Sequence, residues 1–508
     1  DYFRIQHYYY DMTCFYVRDN THLTLRNINI FSCAGHAVLC DGKQSYWQMV
    51  NFNIATKKPV EKRPITTTAD LYDVRLGLPS ASAFWRARTS GRYSMIQNLL
   101  IGLQNELTLE CLLLIVAGVA LGIVFGSIPG LSANMAVTLC LPLTYAMGMI
   151  PGITLLIALY LGGISGGLIS AILINIPGTP ASIATCFDGS PMARNGEAGK
   201  ALGTGILASF IGGLCSILCL IFISPQLSKV AIKFGPFEYA AVGIFSMTLI
   251  ASLSGKDLAK GLLSAVIGIA LATVGAAPVD GAPRFTFGLS SLGKGFDIIT
   301  VMIGLFAVTE VIDTVESYAH ASGIVKPLEF KMKGLGISLK EFFSHWVGIL
   351  RASLIGTGIG ILPGLGGSTA NVISYSVAKN SSKHPERFGT GIPEGVIASE
   401  ASNNATIGGA LIPLLTLGIP GDITTAILLG ALSMKGITAG PLLFNTEGPM
   451  VYSIFIALLI ANFVMVIMMF LGMRGFVKLL STPKIYMLPI IMVMCLVGAF
   501  AVNNRRVG

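Results

Sequence analysis

Between Glu110 and Asp188 the chain carries no Asp, Glu, Lys or Arg. One membrane crossing takes about 20 apolar residues, so an uncharged run this long reads as several crossings. Two Pro-Gly pairs interrupt it, in Gly126-Ser-Ile-Pro-Gly-Leu131 and in Asn175-Ile-Pro-Gly-Thr-Pro180. A broken helix in lipid leaves backbone amides and carbonyls unpaired, at several kcal/mol each. Such breaks persist only where protein or a water-filled cavity covers them. They therefore point to a binding site at membrane depth.

The pattern returns later in the chain. Gly360-Ile-Leu-Pro-Gly-Leu365 repeats the first break, and Leu417-Gly-Ile-Pro-Gly421 repeats Ile174-Asn-Ile-Pro-Gly178. Small and hydroxyl residues follow in both copies. Ser132 and Asn134 answer Ser368, Thr369 and Asn371, and Thr179 and Ser182 answer Thr424 and Thr425. Proline and glycine also kink ordinary membrane helices. Two halves broken at corresponding places are instead the pattern of a secondary transporter.

The bulk of the chain agrees. Of 508 residues 53% are hydrophobic and only 12% charged, against about 25% charged in soluble domains. The fold class read from this is an all-α polytopic membrane protein, with about 10–12 transmembrane segments in two structural repeats with broken helices. Glu106 and Glu110 mark the outer limit of the first crossing, and Asp188 to Lys200 reads as the first polar loop. The first repeat is expected over 95–315. A linker rich in lysine follows over 316–345, cytoplasmic by the positive-inside rule. The second repeat takes 346–508, with a further basic loop from Lys379 to Arg387.

The net charge of +9 fits basic cytoplasmic loops, and no groove-reading element suggests nucleic acid. Cys111, Cys140, Cys186, Cys215, Cys219 and Cys495 lie in apolar runs, where cysteine acts as a small hydrophobe. No metal-ligand spacing, phosphate loop or nucleophile–base pair is visible, which argues against an enzyme and excludes an ATPase on this chain.

Residues 1–78 differ from the rest. Leu23-Thr-Leu-Arg-Asn-Ile-Asn-Ile30 matches Trp47-Gln-Met-Val-Asn-Phe-Asn-Ile54, alternating apolar and polar as a strand does. A repeat of about 24 residues with such strands suggests rungs of a parallel β-helix, so a short β-helix-like fragment precedes the membrane part. Residues 79–94 read as an irregular joint. Residues 1–94 are expected to be a neighbouring reading frame or an accidental fusion.

Two resemblances follow. Residues ~1–75 resemble a fragment of a right-handed parallel β-helix polysaccharide-degrading enzyme, with Thr66-Thr-Thr-Ala-Asp-Leu-Tyr-Asp73 and its Asp70 and Asp73 in keeping. Residues ~95–504 resemble the large membrane subunit of the tripartite tricarboxylate transporters. That resemblance rests on Pro129-Gly-Leu131, Gly162-Gly-Ile-Ser-Gly-Gly167, Ile176-Pro-Gly-Thr-Pro180, Asp188-Gly-Ser-Pro-Met-Ala-Arg194, Pro363-Gly-Leu365, Glu400-Ala-Ser-Asn-Asn404 and Gly418-Ile-Pro-Gly-Asp422. It implies a secondary transporter, multi-pass in the cell inner membrane, taking up tricarboxylates or related carboxylates. It implies two partners, a small membrane subunit and a periplasmic solute-binding protein. It also implies helices beyond Asn504, so the second repeat is expected to be C-terminally truncated. The rival readings are a non-coupled anion channel and a fusion of a β-helix glycosidase fragment with a transporter.

A carboxylate substrate needs partial positive charge, which helix N-termini supply through their free amides. The expected substrate site is therefore the breaks and the half-helices that start after them. It comprises Pro129, Gly130, Ser132, Asn134, Pro177, Gly178 and Thr179 in the first half, and Pro363, Gly364, Ser368, Thr369, Asn371, Pro420, Gly421 and Thr424 in the second. Ser, Thr and Asn are equally good plain helix caps. No cofactor is expected; the coupling ion is sodium or a proton. A coupling cation needs oxygen ligands. Glu400, with Asn403 and Asn404 beside it, and Asp422, directly after a break, are the candidates. The alternative is that both carboxylates lie in water at the interface.

Overall fold

A computed structural model describes six short strands within residues 15–55, residues 95–235, 258–277 and 336–480, and shorter stretches between 237 and 316. The chain forms two compact units, Asp1–Ser94 and Met95–Gly508.

In the first unit the strands are β1 (Phe15–Arg18), β2 (Leu23–Arg26), β3 (Asn29–Phe31), β4 (Val38–Asp41), β5 (Trp47–Val50) and β6 (Asn53–Ala55). They pair in parallel as β1–β4, β2–β5 and β3–β6. Leu23 faces Trp47 and Asn29 faces Asn53, so the two copies of the sequence repeat lie side by side in register.

The second unit is helical. Its first half holds α1 (Met95–Glu106), α2 (Leu109–Ser127), α3 (Ala133–Tyr145), α4 (Met149–Leu173), α5 (Thr185–Met192) and α6 (Ala198–Ala231). Then come α7 (Leu258–Ala272) and a two-strand antiparallel pair, β7 (Gly275–Ala276) with β8 (Pro283–Arg284). The second half holds α8 (Leu339–Ser344), α9 (Trp346–Ile361), α10 (Gly366–Asn380), α11 (Pro393–Leu417), α12 (Ile423–Met434), α13 (Leu443–Thr446) and α14 (Gly448–Leu480). Among the described residues four helical stretches are long and apolar enough to span a membrane: Leu109–Ser127, Met149–Leu173, Thr185–Ala231 and Gly448–Met473. The greater part of 237–253 and of the linker 316–345, and all of 79–94 and 485–502, lie outside the described residues.

The two halves are built alike. In the first, α2 lies against α4 through glycines. A Cβ on Gly118 would meet Ala158, one on Gly122 would meet the Leu159 carbonyl, and one on Gly126 would overlap the Gly163 carbonyl. In the second, α9 lies against α11 the same way, with Gly356 on the Ser402 carbonyl and Gly360 on that of Thr406. Without a hydrophobic drive between helices in lipid, close backbone approach of this kind supplies the association. The central helices are buried along nearly their whole length, α4 from Gly152 and α11 from Gly395 to Thr416. Each also packs on the other half, α11 on α6 and α4 on α14. Gly212 of α6 touches the Ala401 carbonyl, and Gly408 of α11 touches Ser216.

One expectation is corrected. Asp188 to Lys200 is not a loop. It runs through α5, a π-helical turn at Ala193–Glu197 and the start of α6. Asp188 itself is fully buried. Its Oδ1 accepts from the amides of Gly389, Gly391 and Ile392 at 2.9, 2.9 and 3.1 Å, and its Oδ2 from the Tyr375 hydroxyl at 2.8 Å. It thereby holds the entry to α11. Glu106 stands just ahead of the first span, Leu109–Ser127, as expected, but it is buried and accepts from Thr154 Oγ1 of α4 at 2.9 Å. Charge along the sequence could not reveal these partners, which come from distant helices.

Candidate functional site

Four breaks organise the site. In the first, α2 ends at Ser127 because Pro129 cannot continue it, and Gly130 takes φ 87°, a left-handed turn that glycine allows. Ser132 then caps α3, accepting from the Met135 amide at 3.2 Å. In the second, α4 ends at Leu173, and Thr179 precedes a 3₁₀ turn at Pro180–Ser182. In the third, α9 ends at Ile361, Gly364 takes φ 85°, and α10 starts at Gly366. In the fourth, α11 ends on the left-handed Gly418, and Asp422 caps α12, accepting from the Thr425 amide at 2.8 Å.

Within each half the two breaks touch. A Cβ on Gly178 would overlap the Gly126 carbonyl, and one on Gly421 would stand 2.6 Å from the Gly360 carbonyl. The Gly364 amide donates to the Gly421 carbonyl at 2.7 Å. These glycines occupy the same places in the two repeats of the motif.

Between the halves the breaks pair crosswise. The helix after the first break, α3, packs on α12, which follows the fourth, and Thr424 Oγ1 donates to Asn134 Oδ1. The helix after the third break, α10, packs on the turn after the second. There Asn371 Oδ1 accepts from the Ala184 amide at 2.7 Å, and its Nδ2 donates to the Ser399 carbonyl at 3.2 Å.

Two polar side chains here are buried without hydrogen-bond partners. They are Asn403, at both its Oδ1 and Nδ2, and Thr179, at its Oγ1. Asn403 sits one turn beyond Glu400 on α11. A Cβ on Gly367, in the first turn of α10, would lie 2.8 Å from Asn403 Oδ1, 3.0 Å from Ala181 Cβ and 3.3 Å from Thr406 Oγ1. The post-break turn thus reaches α10 and α11 through Ala181, while Thr179 Oγ1 faces α4, 2.8 Å from where a Cβ on Gly167 would stand. Leaving such a group unpaired costs about 1–3 kcal/mol. An amide and a hydroxyl in that condition offer three donor hydrogens and two acceptor oxygens to a ligand.

Glu400 is fully buried. Its Oε1 accepts from Thr185 Oγ1 at 2.5 Å and its Oε2 from Ser209 Oγ at 3.0 Å. Both donors come from the first half. The hydroxyls on its own helix bond elsewhere: Ser402 to the Ala398 carbonyl at 2.8 Å, Thr406 to that of Asn403 at 2.6 Å. Asn404 accepts from Ser165 Oγ at 2.6 Å. Asp422 is half-buried. Its Oδ2 accepts from the Tyr160 hydroxyl at 2.5 Å, and its Oδ1 from Thr425 Oγ1 at 2.7 Å as well as from the Thr425 amide. The Glu400 and Asp422 clusters lie at different levels of α11, one inside it and one past its end, and share no hydrogen bond.

Of the expected site residues, Gly178, Gly421, Ser132, Thr179, Asn371, Asn403, Asn404 and Thr424 are buried. Pro129, Asn134, Pro177, Pro363, Gly364, Ser368, Thr369 and Pro420 are half-buried, and Gly130 is exposed. Ser132 acts as a plain cap. Thr185, Ser209, Tyr160 and Ser165 were not legible as site residues, since a lone hydroxyl in an apolar run carries no motif. Lys435, just past α12, was also missed. Its ammonium donates to the carbonyls of Thr144 and Met147 at 2.5 and 2.6 Å, closing the end of α3. Burial there pulls its pKa below the ordinary lysine value.

Paired broken helices that converge on polar groups in an apolar bundle define a multi-pass membrane transporter. Residues 112–508 match the model of the Tripartite tricarboxylate transporter TctA family. The chain belongs to that family. It is 35% identical over 411 residues, 81% of each chain, to an uncharacterised 52.8 kDa protein of the TAR-I ttuC' 3' region of Agrobacterium vitis. It is 38% identical over 150 residues to an uncharacterised protein of the TAR-II ttuC' 3' region of the same organism, covering 30% of this chain and 62% of that one. No solved structure matches the chain. Nothing in these comparisons supports the resemblance of residues ~1–75 to a polysaccharide-degrading enzyme.

Proposed function

We propose that the chain carries tricarboxylates or related carboxylates across the bacterial inner membrane, driven by a sodium or proton gradient. The family description names the substrate class, and a tripartite system implies the two partners expected above, a small membrane subunit and a periplasmic solute-binding protein. The observation that supports the reading best is that Asn403 and Thr179 are both buried and unpartnered, Asn403 where α10 meets α11 and Thr179 on the post-break turn facing α4. A substrate carboxylate would accept from the Asn403 amide and the Thr179 hydroxyl, with the amides at the start of α10 adding partial positive charge. At the other crossing Asn134 and Thr424 already bond to each other. Glu400 and Asp422 carry the coupling cation, since each already gathers hydroxyl oxygens and a carboxylate at membrane depth serves function by default.

The test is uptake of labelled citrate by vesicles holding the full chain together with both partners. Asn403→Leu removes both amide atoms at similar volume. Saturable uptake that falls at least about tenfold, with unchanged amounts of protein in the membrane, supports the assignment. Uptake equal to that of the unaltered chain overturns it.

A further inference from the structure

A second polar cavity lies away from the breaks, between the start of α9, the end of α10 and the start of α11. Its volume is about 560 Å³. Arg351, Lys383, Ser374, Ser382, His345 and Glu394 line it, over an apolar floor.

Three features mark it as built to hold something. Arg351 projects from α9, an otherwise apolar helix, and has no ion-pair partner among the described residues. A half-buried guanidinium that faces a cavity without an ion-pair partner suits an anion. Ser374 is 1% exposed, lines the cavity, and its Oγ has no hydrogen-bond partner. The acid in the cavity, Glu394, lies 3.8 Å from His345 Nδ1 and makes no ion pair with Arg351. That leaves Arg351 and Lys383 as cations, a buried serine as a donor, and the amides at the start of α9 beside them.

We propose that this cavity binds a single oxyanion group, a phosphate or carboxylate, on Arg351, Ser374 and Lys383. A guanidinium fork and a hydroxyl match such a group in shape and charge. Its bulk beyond the oxyanion rests on the apolar floor of Ala352, Ala378 and Phe388. Ser381, Ser382 and Lys383 of the basic segment Lys379–Arg387 line the cavity, on the side where lysine and arginine gather in membrane proteins. A soluble anion from that side and the head group of an anionic phospholipid share this chemistry.

Two probes separate the sources, both on the purified full chain. Calorimetry with inorganic phosphate reads a free anion, and native mass spectrometry after addition of phosphatidylglycerol reads a retained lipid. Binding of phosphate that weakens about tenfold in Arg351→Gln assigns the site to a soluble anion. Retention of phosphatidylglycerol without phosphate binding, lost in Arg351→Gln, assigns it to a head group. Where Arg351→Gln does not yield folded protein, Ser374→Ala and Lys383→Gln are read in the same way. Binding of neither probe, or equal binding by the altered and unaltered chains, overturns the proposal.

Discussion

The Tyr160 hydroxyl donates to Asp422 at 2.5 Å, across 262 positions of sequence. Tyr160 is fully buried on α4, the central helix of the first half, and Asp422 opens α12 in the second. One hydrogen bond thus ties the core of one repeat to the last break of the other. Tyr160→Phe keeps the ring and removes the donor. Asp422 then keeps its two bonds to Thr425 but loses its hydrogen bond to α4. A bond to a charged group contributes about 1.5–3 kcal/mol. Thermal unfolding of the detergent-solubilised chain is expected at lower temperature, with uptake reduced further than the amount of protein. Unchanged melting and uptake would show that the bond does not hold the break.

The break geometry is tested by glycines. Gly178→Ala would drive a methyl into the Gly126 carbonyl, and Gly421→Ala would drive one against the Gly360 carbonyl. Backbone is rigid, so each is expected to destabilise by about 1–3 kcal/mol. The positions are equivalent, so the two losses should be similar. Gly358→Ala is the control, because nothing lies within 4 Å of its added Cβ. It should be neutral or slightly stabilising, as alanine favours helix. Membrane protein yield and melting temperature are the readouts, and tolerance of Gly178→Ala would contradict the packing.

Asp188 collects three backbone amides ahead of α11 and one tyrosine hydroxyl. Asp188→Asn retains one acceptor oxygen but loses the charge and one acceptor. A loss of about 1–3 kcal/mol in stability is expected. Protease sensitivity should rise first in the segment 385–392, mapped by mass spectrometry of early fragments. An unchanged cleavage pattern would mean that the segment is held by other contacts.

Much of this was legible and some was not, for physical reasons. Pro129, Pro177, Pro363 and Pro420 announce the breaks because proline removes a donor and stops a helix wherever it stands. Their pairing into two halves followed from the repeated Pro-Gly words. The register of Leu23 with Trp47 was likewise visible, because strand alternation repeats in both copies. The partners of Glu400 were not. Thr185 and Ser209 stand 215 and 191 residues away, and a single hydroxyl among apolar residues has no pattern. The hydroxyls nearest in sequence, Ser402 and Thr406, bond back to carbonyls of their own helix instead. Crosswise pairing of α3 with α12 and of α10 with the Pro180–Ser182 turn is tertiary information that no single-chain periodicity carries.

The proposed energy coupling rests on Glu400, and its test is the most direct for the account as a whole. Glu400→Gln keeps the size, and its amide still accepts from Thr185 or Ser209, so the fold should stand. The measurement is accumulation of labelled citrate, under an imposed sodium gradient and then a proton gradient, in vesicles holding the full chain and both partners. The account expects accumulation against the gradient to vanish in Glu400→Gln while exchange of internal for external citrate persists. Accumulation as high as in the unaltered chain under both gradients would contradict it.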